Sequence, residues 1–187
     1  MPASVLLSDY LNELRQAADA GPVLDLACGN GRNGLYLLQR NIPVVFADIA
    51  TAALEQISAD LAQDPCQPYR HLAKLWQTDF ERAGTDPLEQ KSFGAILVFR
   101  YLHRPLMPGI RRAVCPGGLV IYETFTLDQA RFGRPNNPDF LLKPGELRDA
   151  FAGWEALHYF EGVVKSENAA GPRAIAQIVA QKPALTG

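Results

Sequence analysis

Only three cysteines occur in the 187 residues, Cys28, Cys66 and Cys115, far apart and without a C-x-x-C pair. That spacing indicates neither a structural metal nor a redox motif, so no metal is expected. An odd count without a disulfide framework suits reduced thiols in the cytoplasm. No apolar run reaches the length that crosses a membrane, and no basic segment followed by an apolar one opens the chain. Neither a membrane span nor a signal peptide is therefore expected. An excess of one charge is also missing: 18 Lys and Arg stand against 20 Asp and Glu, a net charge of −2. That balance argues against a nucleic-acid partner, because such proteins usually carry a basic footprint. What remains, 48% hydrophobic and 20% charged residues, is the composition of a folded soluble protein. The length suits one domain, residues 1–187, and not two. No repeat, low-complexity segment or linker interrupts it.

Hydrophobic periodicity alternates between strand and helix along most of the chain. Ser4–Ala20 reads as one amphipathic N-terminal helix, with Val5, Leu6, Tyr10, Leu11 and Leu14 on one side and Gly21-Pro22 as its stop. Strands are expected at Val23–Ala27, Pro43–Ala47, His71–Gln77, Phe93–Phe99 and Leu119–Tyr122. Helices are expected at Asn33–Arg40, at Thr51–Gln63 with Thr51 as N-cap, at Leu106–Cys115 with Pro116-Gly117-Gly118 ending it, and at Gly145–Phe151. Two late runs, Trp154–Val164 and Ala174–Gln181, have no helical segment between them and should pair antiparallel. The pattern is that of an α/β fold, a sheet covered by helices on both faces. Thr126–Lys143, rich in Pro, Asn, Gly and Arg, reads as a long loop after the carboxyl end of a strand. A lid over a ligand is expected there, with a simple surface insertion as the alternative.

The most informative stretch is VLDLACGNGRNGLYLL, Val23–Leu38: an apolar strand, a glycine-broken turn and a helix. Glycine tolerates positive φ and lets a ligand approach the backbone, while the start of a helix offers free N–H groups and partial positive charge. Gly29, Gly31 and Gly34 satisfy G-x-G-x-x-G, and Asp48 ends the second strand where a ribose-binding acid belongs. Alone, these suit a dinucleotide such as NAD. Against that reading, Asp25, Asp48 and Asp79 place an acid in or at the end of three successive strands. Such a cluster repels a pyrophosphate and attracts a cation. The chain also has no room for a separate substrate domain and lacks the Tyr-x-x-x-Lys of compact reductases. S-adenosylmethionine, with a sulfonium, an ammonium, a ribose diol and an adenine, fits the charges better. Asp48 suits the ribose hydroxyls, Asp25 the amino-acid end, and Asp79 the adenine amine with Phe80 beside it. Hydrogen bonds of this charged kind contribute roughly 1.5–3 kcal/mol each. Cys28 reads as a small buried residue at the turn, and Trp76 and Trp154 as packing residues.

These residues resemble the class I S-adenosylmethionine-dependent methyltransferases. More narrowly, DLACGNGRNGLYL, FLLKPGEL and GWEALHYFEG are similar to the tellurite-resistance (TehB-like) methyltransferase group. The resemblance implies a Rossmann-like, seven-stranded, mostly parallel sheet with an antiparallel last strand. It also implies S-adenosylmethionine as cofactor and S-adenosylhomocysteine as its product. The binding set it implies is Asp25, Leu26, Ala27, Cys28, Gly29, Asn30, Gly31, Asp48, Ile49, Asp79 and Phe80. Val98, Phe99 and Arg100 would meet the methionine moiety through the backbone, and Pro116-Gly117-Gly118 is the turn before strand five. Three features depart from the group, one being the insert that begins YETFTLDQARFGRPNNPDF. Gly94 stands where an acid is usual, and SENAAGPR, before the last strand, lacks a His-Arg pair.

The expected activity is methyl transfer to a small-molecule acceptor, with an anionic one suited to the arginines. Methyl transfer from a sulfonium is an in-line displacement, for which orientation alone can lower the barrier by about 7–11 kcal/mol. A strong base is needed only where the acceptor holds its proton tightly. The candidate catalytic residues are His103, Glu123 and Arg100; His103 is the natural titratable base near neutral pH. The candidate acceptor-side residues are Tyr101, Arg104, Phe125, Arg131 and Arg134. A donor-binding partner protein without chemistry and an NAD-dependent oxidoreductase are the alternatives. No [DNS]-P-P-[FYW] follows strand four, which argues against nucleic acid as acceptor.

Overall fold

Seven strands pair into a single sheet in the computed structural model, which describes residues 2–165 and 171–185. The spatial order is β3-β2-β1-β4-β5-β7-β6. β1 (Val23–Leu26), β2 (Val44–Asp48), β3 (Ala73–Gln77), β4 (Phe93–Phe99) and β5 (Val114–Phe125) run parallel. β7 (Arg173–Gln181) lies between β5 and β6 (Glu155–Val164) and is antiparallel to both. The order reverses at β1 and β4, and in open α/β sheets that crevice beyond the strand ends is where ligands bind.

The central strands are buried on both sides, as strands sandwiched between helices must be. On one face Leu24, Leu26, Val45, Ile96, Val98 and Tyr122 pack with α5 (Met107–Ala113) and α6 (Glu146–Ala150). On the other, Val23, Val44, Phe46, Leu97 and Ile121 pack under α1 (Val5–Asp9), α2 (Leu11–Ala18), α3 (Arg32–Leu38) and α4 (Thr51–Asp60). No helix follows β3; turns and loop run from residue 78 to β4.

Several boundaries differ from the sequence expectation. The N-terminal segment is two helices, because Tyr10 leaves helical geometry at φ −113° and its hydroxyl donates to the Leu157 carbonyl of β6. The Thr51 helix is capped by Ala50, and the Thr51 hydroxyl instead accepts from Gln77. β3 begins at Ala73, after a 3-10 turn over Gln67–Leu72. The largest correction concerns Pro116-Gly117-Gly118, which lies inside β5 rather than ahead of it. A side chain at Gly118 would stand 2.4 Å from the Gly94 carbonyl oxygen, and one at Gly94 2.0 Å from that of Ala17. Two glycines in register thus let β4, β5 and the end of α2 meet backbone to backbone, which explains a glycine at position 94. The 126–143 loop contains 3-10 turns at Leu127–Arg131 and Pro138–Phe140, and Thr126 bridges Leu142 at its base. Most of SENAAGPR, residues 166–170, lies outside the described residues.

Candidate functional site

The glycine turn after β1 is built on left-handed backbone. Ala27, Gly29 and Gly31 have φ of 50°, 53° and 69°, and Gly31 caps α3. Only Ala27 among them carries a side chain there, a strain that needs a rigid setting. Asp25 supplies part of it. Its carboxylate is 3% exposed, and Oδ2 accepts the Gly34 N–H at 2.9 Å, tying the first turn of α3 to β1. Burial pushes this carboxyl up to about 7, opposed by the Gly34 hydrogen bond and by Arg32. Asp48 fixes the other side of the turn. Its Oδ2 accepts from Gly29 N at 2.8 Å and its Oδ1 from Ala50 N at 2.9 Å. Each oxygen keeps a lone pair for a ligand. Asp79 bonds the Glu81 N–H through Oδ1 at 2.8 Å, and Oδ2 has no partner among the described residues.

Above these strand ends lies an open cavity of about 340 Å³, lined by Ala27, Asp48, Ile49, Asp79, Phe80 and Tyr101, with Thr78 and Glu81. Its wall carries three carboxylates and no basic side chain. The Tyr101 hydroxyl is buried there without a hydrogen-bond partner among the described residues. Burial, with Glu81 next in effect, pushes that phenol far up, so it stays a donor. An acidic, ring-lined hollow with the Tyr101 hydroxyl in its wall fits a ligand with hydroxyls, a flat base and positive charge. Asn30 is exposed at the turn, and Leu26 and Val98 are buried in their strands. Cys28 is half-buried, and burial raises its thiol well above the usual range, which makes it inert.

The other candidates separate into groups. His103 lines a neighbouring cavity of about 390 Å³ that shares Phe80 and Glu81 as a wall. Glu123 is on the opposite face of the sheet: Asp25 aligns with Leu97 and Ile121, and Glu123 lies two residues further along β5. The structure therefore does not bring His103 and Glu123 together. Glu123 is 8% exposed and accepts from Gln177 Nε2 at 2.6 Å; its carbonyl accepts the N–H of Arg100, whose φ is 57°. Phe125, two residues on, shares that face and is half-buried.

Arg104 is engaged elsewhere. It grips Glu146 through Nε (2.6 Å) and Nη2 (2.9 Å) and also donates to the Asp139 and Leu141 carbonyls. That leaves it pinning the long loop rather than facing an acceptor. Arg131 is exposed beside Asp128 at 3.8 Å, and Arg134 is exposed at the loop tip. Two arginines absent from the sequence reading join Arg100 instead. Arg32, first in α3, donates to the Pro2 carbonyl at 2.6 Å. Arg173 begins β7 on the face of Gln177, four residues on, and its Nε is buried without a partner among the described residues. Burial and the nearby Arg100 lower the pKa of Arg32, while Glu123 and Asp25 oppose the shift, so these charges share one region. Arg32 is hidden within the glycine motif, and Arg173 is placed by strand order; neither carries a sequence signal.

No curated protein matches the chain. Among solved structures, TehB from Haemophilus influenzae superposes with a TM-score of 0.69 at 21% identity, covering 91% of this chain and 61% of that one. The chain thus spans about three fifths of TehB. The glycopeptide N-methyltransferase MtfA, crystallised with S-adenosylmethionine, gives 0.61 at 20% identity, covering 92% and 86%. The [4+2]-cyclase SpnF gives 0.63 at 14%, covering 92% and 80%. At these identities the likeness establishes the fold. The family is established by sequence: residues 23–118, just over half of the chain and the span from β1 into the start of β5, match the methyltransferase domain, and the chain belongs to that family.

Proposed function

We propose that this protein binds S-adenosylmethionine at the tips of β1, β2 and β3 and methylates a small anionic acceptor. The observation that carries the reading is the cavity wall: three carboxylates and no basic group favour a cationic nucleoside over a pyrophosphate. Asp48, already anchored by two backbone N–H groups, keeps lone pairs for the ribose hydroxyls. The free oxygen of Asp79 suits the adenine amine, with Phe80 against the ring. The left-handed turn from Ala27 to Gly31 and buried Asp25 suit the amino-acid end. MtfA, of the same fold, is crystallised with S-adenosylmethionine and also with S-adenosylhomocysteine. When bound, the cofactor supplies a methyl group on a positively charged sulfur.

The acceptor side falls to Arg100, Arg32 and Arg173 around Glu123, close to the amino-acid end. Three guanidinium groups there orient a carboxylate or oxyanion, which needs no base for attack. Glu123, held by Gln177, is the group that would take a proton from a protonated acceptor. Among the described residues no helix is long and apolar enough to cross a membrane. We place the enzyme in the cytoplasm, a setting that suits its three free thiols.

The test is turnover. Formation of S-adenosylhomocysteine is followed with carboxylates, chalcogen oxyanions and thiols as acceptors. The reading expects an anionic acceptor whose KM rises in Arg100→Gln and Arg173→Gln. Donor binding without turnover on any acceptor would instead indicate a non-catalytic partner protein.

A further inference from the structure

The half of the sheet remote from the strand tips holds a second cavity, and the missing helix after β3 explains it. The 78–92 segment between β3 and β4 runs as turns and loop, and its last residues, 90–92, line a gap against β2, β3 and the start of β4. The gap is a hollow of about 300 Å³ lined by Pro22, Val45, Lys74, Trp76, Lys91 and Phe93. That volume is at the lower end of small-molecule sites, roughly 300–1,000 Å³. Strand register puts Lys74 and Trp76 on one face, beside Val45 and Ala47. The Lys91 ammonium sits 5.3 Å from the centre of the Trp76 ring. Among the described residues neither lysine has an ion-pair partner. The Trp76 ring meets Phe80 edge-on, with centroids 5.6 Å apart, and Phe80 lines the cavity above. The ring pair is therefore a partition, and the two hollows are separate sites.

We propose that this lower cavity binds a flat aromatic ring bearing a carboxylate or similar anion. The ring lies against Trp76, Phe93 and Val45, and the anion meets Lys74 and Lys91. An apolar floor with two unpaired ammonium groups at its rim complements that chemistry and no cation. The assignment does not depend on the methyl-donor reading.

The experiment follows the indole N–H signal of Trp76 by NMR during titration with 2-naphthoate, the Trp154 signal being assigned with Trp154→Phe. The expected result is a saturable shift of Trp76 alone, weaker binding of uncharged 2-naphthamide, and affinity lowered about fivefold in the Lys74→Gln/Lys91→Gln double variant. No saturable shift, equal movement of both indole signals, or an affinity unchanged in the double variant overturns the proposal. No methyl donor enters this titration, so its failure leaves the proposed methyltransferase function untouched.

Discussion

Asp25 and Asp48 divide the work at the glycine turn. Asp25 is buried beneath it, and its carboxyl moves from an ordinary value of 3.8 up to about 7, chiefly through burial. Between those values the folded state holds more protons than the unfolded chain, so this group's contribution to stability falls as pH rises toward 7. The urea midpoint of the wild type should therefore decline from pH 5 to 7.5, with less decline in Asp25→Asn, which retains an acceptor for Gly34. A difference between the two that is constant with pH contradicts this. Asp48 faces the cavity. Asp48→Ala removes a charged acceptor and frees the Gly29 and Ala50 N–H groups. Loss of about 1.5–3 kcal/mol predicts S-adenosylmethionine binding weaker by roughly 10–100-fold in calorimetry.

Among the elements, the packing of α3 on β1 and β2 sets the turn. A methyl at Gly34 would lie 2.3 Å from Phe46 Cε1 and 3.0 Å from Asp25 Oδ2. Gly34→Ala should destabilise the protein by about 2–3 kcal/mol, an overpacking cost read from denaturant melts. The loop over 127–141 is held at its base by the Arg104–Glu146 pair and by backbone bonds from Leu142. Arg104→Ala should speed chymotryptic cleavage at Phe132 and Phe140, which are already exposed, and unchanged cleavage rates would show that the pair does not restrain the loop. The alternation of strands and helices was legible because the central strands are apolar runs bounded by glycine and proline. The break at Tyr10 was not, since a bond to β6 creates it. Nor was the early start of β5, since it depends on glycines 94 and 118 meeting across the sheet.

For the whole molecule, sequence alone placed the acids: Asp25, Asp48 and Asp79 sit in or just beyond three strands, and the fold brings their ends side by side. It correctly paired the last two strands antiparallel but did not reveal that β7 inserts between β5 and β6. That insertion puts Gln177 against Glu123 and carries Arg173 onto the same face, so residues far apart in the chain form that region. Arg104 shows the converse, a charge near the expected site that tertiary contacts claim for the loop. The central claim is that acidic strand tips select a positively charged nucleoside. Calorimetric titration of the wild type with S-adenosylmethionine, S-adenosylhomocysteine and NAD tests it most directly. The account predicts saturable binding of the first two, none of NAD, and binding of both weakened by roughly 10–100-fold in Asp48→Ala. Saturable NAD binding with no heat from S-adenosylmethionine or S-adenosylhomocysteine would contradict it.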